Sequence, residues 1–236
     1  MSLLQLNTDG LFEGKLAAIC PPKKQDHSFE HVRDLFKSWT QASFDNQNKT
    51  AIFSDYRKCV LERWGIVESK SLASRMREKF ETLLVLGIGG SALGAKAVLS
   101  ALSWSIPANQ KRNVYFAENL DPIEFENIWS KINPEKTCFA IISKSGGTIE
   151  TMAQTSAIID RLNKLGLNPH SQFIAITDPA HGSMIKWATN HNVATLEVPP
   201  GVGGRFSVFS PVGIFPLAFA GLNVESLIEG ATTQFQ

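Results

Sequence analysis

Beyond residue 80 the chain alternates between two hydrophobic rhythms. Short apolar runs at 83–86, 114–117, 138–142, 173–176 and 193–198 have the length of buried strands. Between them, at 92–102, 123–132, 149–165 and 184–190, apolar residues return every three or four positions, the period of one helix face. Strand, helix and strand in regular succession predict βαβ units. The expected fold class is α/β, a five-stranded parallel sheet flanked by helices on both faces and preceded by a helical N-terminal segment.

The first 80 residues carry the helical period alone. His31, Val32, Leu35 and Trp39 share one helix face, and Val60, Leu61, Trp64, Ile66 and Val67 suggest another. Leu72, Met76 and Phe80 mark an amphipathic helix over 71–80 that leads into the first strand. Past Arg205, residues 206–222 form the most membrane-like stretch, but Pro211 and Pro216 interrupt it. A spanning helix needs roughly 20 apolar residues, so this stretch reads as a buried core helix. The pattern passes Gly221, restarts with Val224, Leu227 and Ile228, and stops at Gln236 without a charged tail or cap. That ending is expected of a fragment cut inside a helix. The expected organisation is a helical segment over 1–80, an α/β domain over 81–200, and over 201–236 an Arg-containing loop with the start of connecting helices.

Three glycine-rich segments carry the chemistry. The strand at 138–142 runs into Ser143-Lys144-Ser145-Gly146-Gly147-Thr148, and a helix begins at Ile149. A helix start offers unpaired N–H groups and a partial positive charge. Small residues let a ligand approach, and the hydroxyls of Ser143, Ser145 and Thr148 fit a phosphate. The alternative is a Ser/Gly turn that only caps its helix. The second segment, Gly87-Ile88-Gly89-Gly90-Ser91, follows the first strand in the same way. It resembles part of a dinucleotide fingerprint, but Ala92 stands where that pattern has its third glycine. Glu118 lies about 30 residues on, where the fingerprint places an acid about 20 residues on. A tight turn without ligand is the other alternative there, and no cofactor is expected. The third segment, Val202-Gly203-Gly204-Arg205-Phe206-Ser207, puts a permanent positive charge beside two glycines. An Arg so placed can stabilise a developing oxyanion, or it can cap carbonyls or pair with an acid.

Charge changes the picture by exclusion. Lys and Arg total 23 against 22 Asp and Glu, a formal net charge of +1. No nucleic-acid or membrane partner is expected from that balance. Cys20, Cys59 and Cys138 are scattered, without metal-ligand spacing, so no metal site is expected and a reduced, cytoplasmic setting is. The Met-Ser-Leu-Leu-Gln start does not read as a signal peptide.

The turn at 143–148 resembles the phosphosugar grip of sugar isomerase (SIS) domains. With the turns at 87–91 and 202–207, in that order, the chain resembles the phosphoglucose isomerase family from about residue 80 to 235. The resemblance implies a three-layer SIS-like domain followed by a second one. It implies a hexose 6-phosphate substrate, a metal-free aldose–ketose interconversion through a cis-enediolate, and a homodimer for the full-length protein. Gly90, Ser91 and Gly204 would line the sugar pocket. Ser143, Ser145, Gly146, Gly147 and Thr148 would hold the phosphate. Lys144 would add positive charge near the sugar, and Arg205 would stabilise the enediolate. Gly147 departs from the pattern, because the family usually has threonine there. The family's proton-transferring glutamate sits in a Glu-Ser-x-Gly segment, which these 236 residues do not contain. Its catalytic histidine and late lysine come from later positions, and His27, His31, His170, His181 and His191 match none of them. Glu118, Glu150 and Glu197 read as loop or first-turn acids. The expectation is therefore phosphate binding with little isomerisation. The other function class that the 143–148 turn fits is a non-catalytic phosphosugar-binding regulatory module.

Overall fold

A computed structural model of the chain describes residues 55–235. The helix face at His31–Trp39 and Cys20 lie outside the described residues. In order, the elements are α1 (Asp55–Leu61), α2 (Ile66–Lys79), β1 (Thr82–Leu86), α3 (Leu93–Leu102), β2 (Asn113–Ala117), α4 (Pro122–Trp129) and β3 (Thr137–Ser143). They continue as α5 (Ile149–Lys164), β4 (Phe173–Thr177), α6 (Ser183–Asn190), β5 (Ala194–Glu197), α7 (Pro211–Ala220) and α8 (Val224–Phe235). The five strands pair in parallel in the order β2-β1-β3-β4-β5. The α/β fold with its parallel sheet is the one the hydrophobic rhythm predicts.

Alternate residues of the central strands feed two cores. Leu83, Val85, Cys138, Ala140, Ile142, Ile174 and Ile176 face α2 and α7, meeting Leu72, Val212, Phe215 and Phe219. Leu84, Leu86, Phe139, Ile141, Phe173 and Ala175 face the other way, toward Ile128 of α4, Ile158 and Leu162 of α5, and Met184 of α6. Every residue of β1, β3 and β4 is buried, as a parallel strand covered on both faces requires. A third cluster joins α1, α3, α7 and α8 through Val60, Leu99, Ile214, Leu217 and Ile228. Both α2 and α7 thus share a core with the sheet.

Three boundaries differ from the periodicity, each for a local reason. Val60 and Leu61 do not share a helix with Ile66 and Val67. Arg63 and Gly65 both adopt left-handed backbone (φ 56° and 67°), which separates α1 from α2. A Cβ on Gly65 would also lie 2.5 Å from Pro211 Cγ. The helix expected to reach 132 ends at Trp129, because Asn133 is held extended before Pro134 and its side chain caps Glu135 N–H. The apolar helix starts at Pro211 and not beside Arg205. Ser210 caps it through Val212 N–H, and Pro211 fits the first helical position. Nine of its ten residues are buried, as expected of a helix apolar all round.

Arg77 of α2 joins two segments at the end of α7. Its guanidinium donates to the Phe219 carbonyl and, at 2.6 Å, to the Gln110 carbonyl ahead of β2. Burial and the neighbouring Arg112 hold its pKa below the ordinary arginine value.

Replacing Phe215, fully buried between α7 and the sheet, with alanine should lower the unfolding free energy by about 3–5 kcal/mol in urea denaturation. Ile123→Ala, at a position 72% exposed, should change it by no more than about 0.5 kcal/mol.

Candidate functional site

The strand order places a crevice at one defined point. β1 and β3 are neighbours, yet the chain leaves β1 toward β2 on one side and β3 toward β4 on the other. The α3 helix packs with α7, while α5 lies on the opposite face. Two segments leaving adjacent strands in opposite directions open a gap at the carboxyl edge, where ligands of such sheets bind. The turns at 87–91 and 143–148 border this gap.

The 143–148 turn is built around hydroxyls that orient one another. Ser143 ends β3, 2% exposed, and its Oγ lies 2.8 Å from Thr148 Oγ1 and 3.4 Å from Ser145 Oγ. Ser143 therefore sits behind the other two hydroxyls as a support. Gly146 takes φ 63° and donates its N–H to the Ser143 carbonyl, closing the turn. Thr148 stands at the N-cap of α5 but makes no side-chain cap bond. By contrast, Asp121 caps α4 through Ile123 and Glu124 N–H. The first-turn N–H groups of α5 are left for another acceptor. Lys144 Nζ donates to the Pro200 carbonyl at 2.8 Å, linking this turn to the segment that leads to Arg205. Gly147 is exposed, and a Cβ there would meet nothing within 4 Å.

The turn at 87–91 meets the Arg205 segment backbone to backbone. A Cβ on Gly90 would lie 2.2 Å from the Gly204 carbonyl carbon and 2.7 Å from Arg205 N, so only glycine fits. Ser207 Oγ donates to the Gly204 carbonyl at 2.6 Å and approaches the Gly90 carbonyl at 3.3 Å. Gly204, Arg205 and Phe206 form a single 3₁₀ turn. The Arg205 side chain is exposed, without an ion pair among the described residues.

Ser91, Lys144, Ser145 and Thr148 line one open cleft of about 410 Å³ together with Asp178 and His181. The side chain of Arg205 is not part of its lining. Asp178 and His181 come from the loop after β4, which sequence reasoning passed over. The available signal was positional: an Asp-Pro-Ala-His run directly after the fourth strand, on the ligand-binding edge. Asp178 Oδ1 accepts from Ala180 N–H and His181 N–H at 2.9 and 2.8 Å and lies 3.1 Å from His181 Nδ1. The two backbone N–H groups hold the Asp178 carboxyl below its usual range, and the His181 ring adds to the effect. The stabilisation from these contacts is present at neutral pH and is lost only as pH falls through that lowered value.

The other candidates are occupied elsewhere. Glu118 forms an ion pair with Lys96 of α3, so the acid nearest to a dinucleotide-binding position is already engaged. His170 and His191 stack on each other, ring centres 4.2 Å apart, next to Trp187. They precede β4 and β5, at the edge opposite the cleft. Among the described residues no three His, Cys, Asp or Glu side chains are grouped to hold a metal, and no helix is long and apolar enough to cross a membrane. Cys59 and Cys138 are free and buried, and burial pushes the Cys138 thiol up.

Comparison with known proteins places these turns in a wider set. The family model described as phosphoglucose isomerase matches residues 5–234. The chain is 40% identical over 173 residues to a glucose-6-phosphate isomerase of Carboxydothermus hydrogenoformans, covering 70% of this chain and 37% of that relative. It is 41% identical over 172 residues to that of Rubrobacter xylanophilus, covering 69% and 39%. Among solved structures, a glucose-6-phosphate isomerase from Chlamydia trachomatis superposes with TM-score 0.64 at 29% identity, over 81% of this chain and 35% of that one. A hypothetical protein of Thermus thermophilus gives TM-score 0.75 at 27% identity, over 88% and 49%. The matches thus span about two fifths of the length of these curated relatives.

The cleft depends on the loop after β4 lying against the 143–148 turn. Gly182 takes φ 102°, and a Cβ there would lie 2.5 Å from the Ser145 carbonyl oxygen. Gly182→Ala should therefore destabilise the chain by about 1–2 kcal/mol or more, from the left-handed backbone and the clash together. Differential scanning calorimetry should register a fall in Tm of about 4 °C or more.

Proposed function

The chain belongs to the phosphoglucose isomerase family, and on that premise we propose that it supplies the phosphate-binding half of a hexose 6-phosphate isomerase site. The observation that carries the reading is the cleft where Ser91, Lys144, Ser145 and Thr148 converge at the sheet's switch point. A phosphate seated there meets the free N–H groups of α5, the hydroxyls of Ser145 and Thr148, and the charge of Lys144. Gly146 and Gly147 leave the backbone of the turn open to it.

The sugar then extends toward the turn at 87–91 and the Arg205 segment. Gly90 sets the spacing between those two backbones, because a Cβ there would run into the Gly204 carbonyl. In the reaction, the C2 proton of glucose 6-phosphate is transferred to C1 through a cis-enediolate. Arg205 is the group in this chain suited to that intermediate, because a guanidinium keeps its charge and offers several donors to an oxyanion. Its exposed, unpaired side chain is free to turn toward a ligand. The 236 residues contain no Glu-Ser-x-Gly segment to carry the proton between C1 and C2. General acid–base catalysis is worth about 10²–10⁴-fold, so the chain by itself binds substrate and turns it over slowly. In the complete enzyme, a cytoplasmic homodimer in this reading, the remaining groups come from other segments.

Isothermal titration with glucose 6-phosphate should give saturable binding, and Ser145→Ala should weaken it by about 1–2 kcal/mol, a loss of roughly tenfold. A coupled fructose 6-phosphate assay on the same chain should show turnover at least about 100-fold below that of an intact family enzyme. Equal affinity of wild type and Ser145→Ala would place the ligand elsewhere, and intact-enzyme turnover would mean that a base within these residues was missed.

A further inference from the structure

The loop after β4 brings to the cleft a side chain that no motif of the phosphate grip contains. Its position is set by the grip itself. Met184 N–H donates to the Gly146 carbonyl at 2.9 Å, and Ser183 Oγ donates to the same oxygen at 2.7 Å. Asp178 N–H reaches the Lys144 carbonyl at 3.3 Å. A Cβ on Gly146 would lie 3.3 Å from the His181 carbonyl oxygen and 3.0 Å from Thr177 Oγ1. These contacts tie the two loops together and set His181 on the same cleft as Ser145 and Thr148.

At the cleft the imidazole is oriented by one nitrogen. Nδ1 faces Asp178 Oδ1 at 3.1 Å, and the same oxygen holds the His181 backbone N–H. The ring is otherwise exposed at the cleft, 86% accessible, so Nε2 is available to a ligand. Asp178 is an acceptor, and so is a phosphate oxygen. A ring bridging the two carries a proton on each nitrogen and adds a positive charge to the cleft that Lys144 also lines. The cradle has room for such a donor, since no side chain at Gly147 occupies the space beside Ser145.

We propose that His181, oriented by Asp178, is a phosphate-binding residue of this cleft, donating Nε2–H to the ligand phosphate and taking over the contact that a hydroxyl at position 147 would make. The proposal rests on the phosphate reading of the cleft, and the experiment separates the two. Lys144 and Asp178 are the other charged side chains lining the cleft among the described residues.

Inorganic sulfate is the probe, and ¹H–¹⁵N chemical shifts report its binding. The His181→Ala variant should bind sulfate about threefold or more weakly than wild type at the same pH. His181→Gln, which keeps a side-chain N–H donor, should lie between them. Equal affinity of wild type and His181→Ala would overturn the role of His181 while leaving the phosphate site standing. The phosphate site itself is read from Ser145→Ala. If that variant binds sulfate and glucose 6-phosphate as wild type does, or if wild type binds neither, both readings fall together. His181 is exposed, so unchanged melting curves should accompany its replacement.

Discussion

Backbone-to-backbone contact at the carboxyl edge of the sheet is the constraint on which the site depends. The turn after β1 touches the Arg205 segment at Gly90, and the turn after β3 touches the loop after β4 at Gly146 and Gly182. A Cβ would clash outright at Gly90 and Gly182 and would be tight at Gly146. Such closeness is useful only if the strands beneath are immobile, and β1, β3 and β4 are buried along their whole length. The two cores fix the strands, the strands fix the turns, and the glycines convert fixed turns into fixed spacing between ligand-facing groups.

The electrostatics follow the same economy. A chain with net charge +1 has no broad field with which to attract an anion. The polar groups gathered at the cleft are local ones: helix N–H groups, paired hydroxyls and one lysine. Ser143 is buried behind Thr148, and Lys144 is held by the Pro200 carbonyl. These groups are oriented before a ligand arrives, so little ordering remains to oppose binding. The Lys144 contact also ties the 143–148 turn to the segment bearing Arg205.

The hydrophobic rhythm made the strands legible because a covered parallel strand has to be apolar on both faces. The glycine turns were legible because their composition has few other uses. Helix boundaries were less so. Arg63 breaks a helix by adopting left-handed backbone that its side chain does not announce, and the cap at Ser210 starts α7 six residues past Arg205. Ser143 looked like a ligand contact by residue type, yet the end of β3 buries it. His181 was hidden for the opposite reason. Nothing in its neighbours along the chain reveals that the loop after β4 folds back onto a turn more than thirty residues earlier.

Gly147 has a consequence of a different kind. Gly90 and Gly182 are glycines by necessity, whereas Gly147 is one by choice: its backbone is not left-handed, and the volume beside it is empty. A Cβ there would meet nothing within 4 Å. Residue type at this position is therefore uncoupled from the scaffold. The rim of the cleft can vary in sequence while the turns that shape it stay as they are.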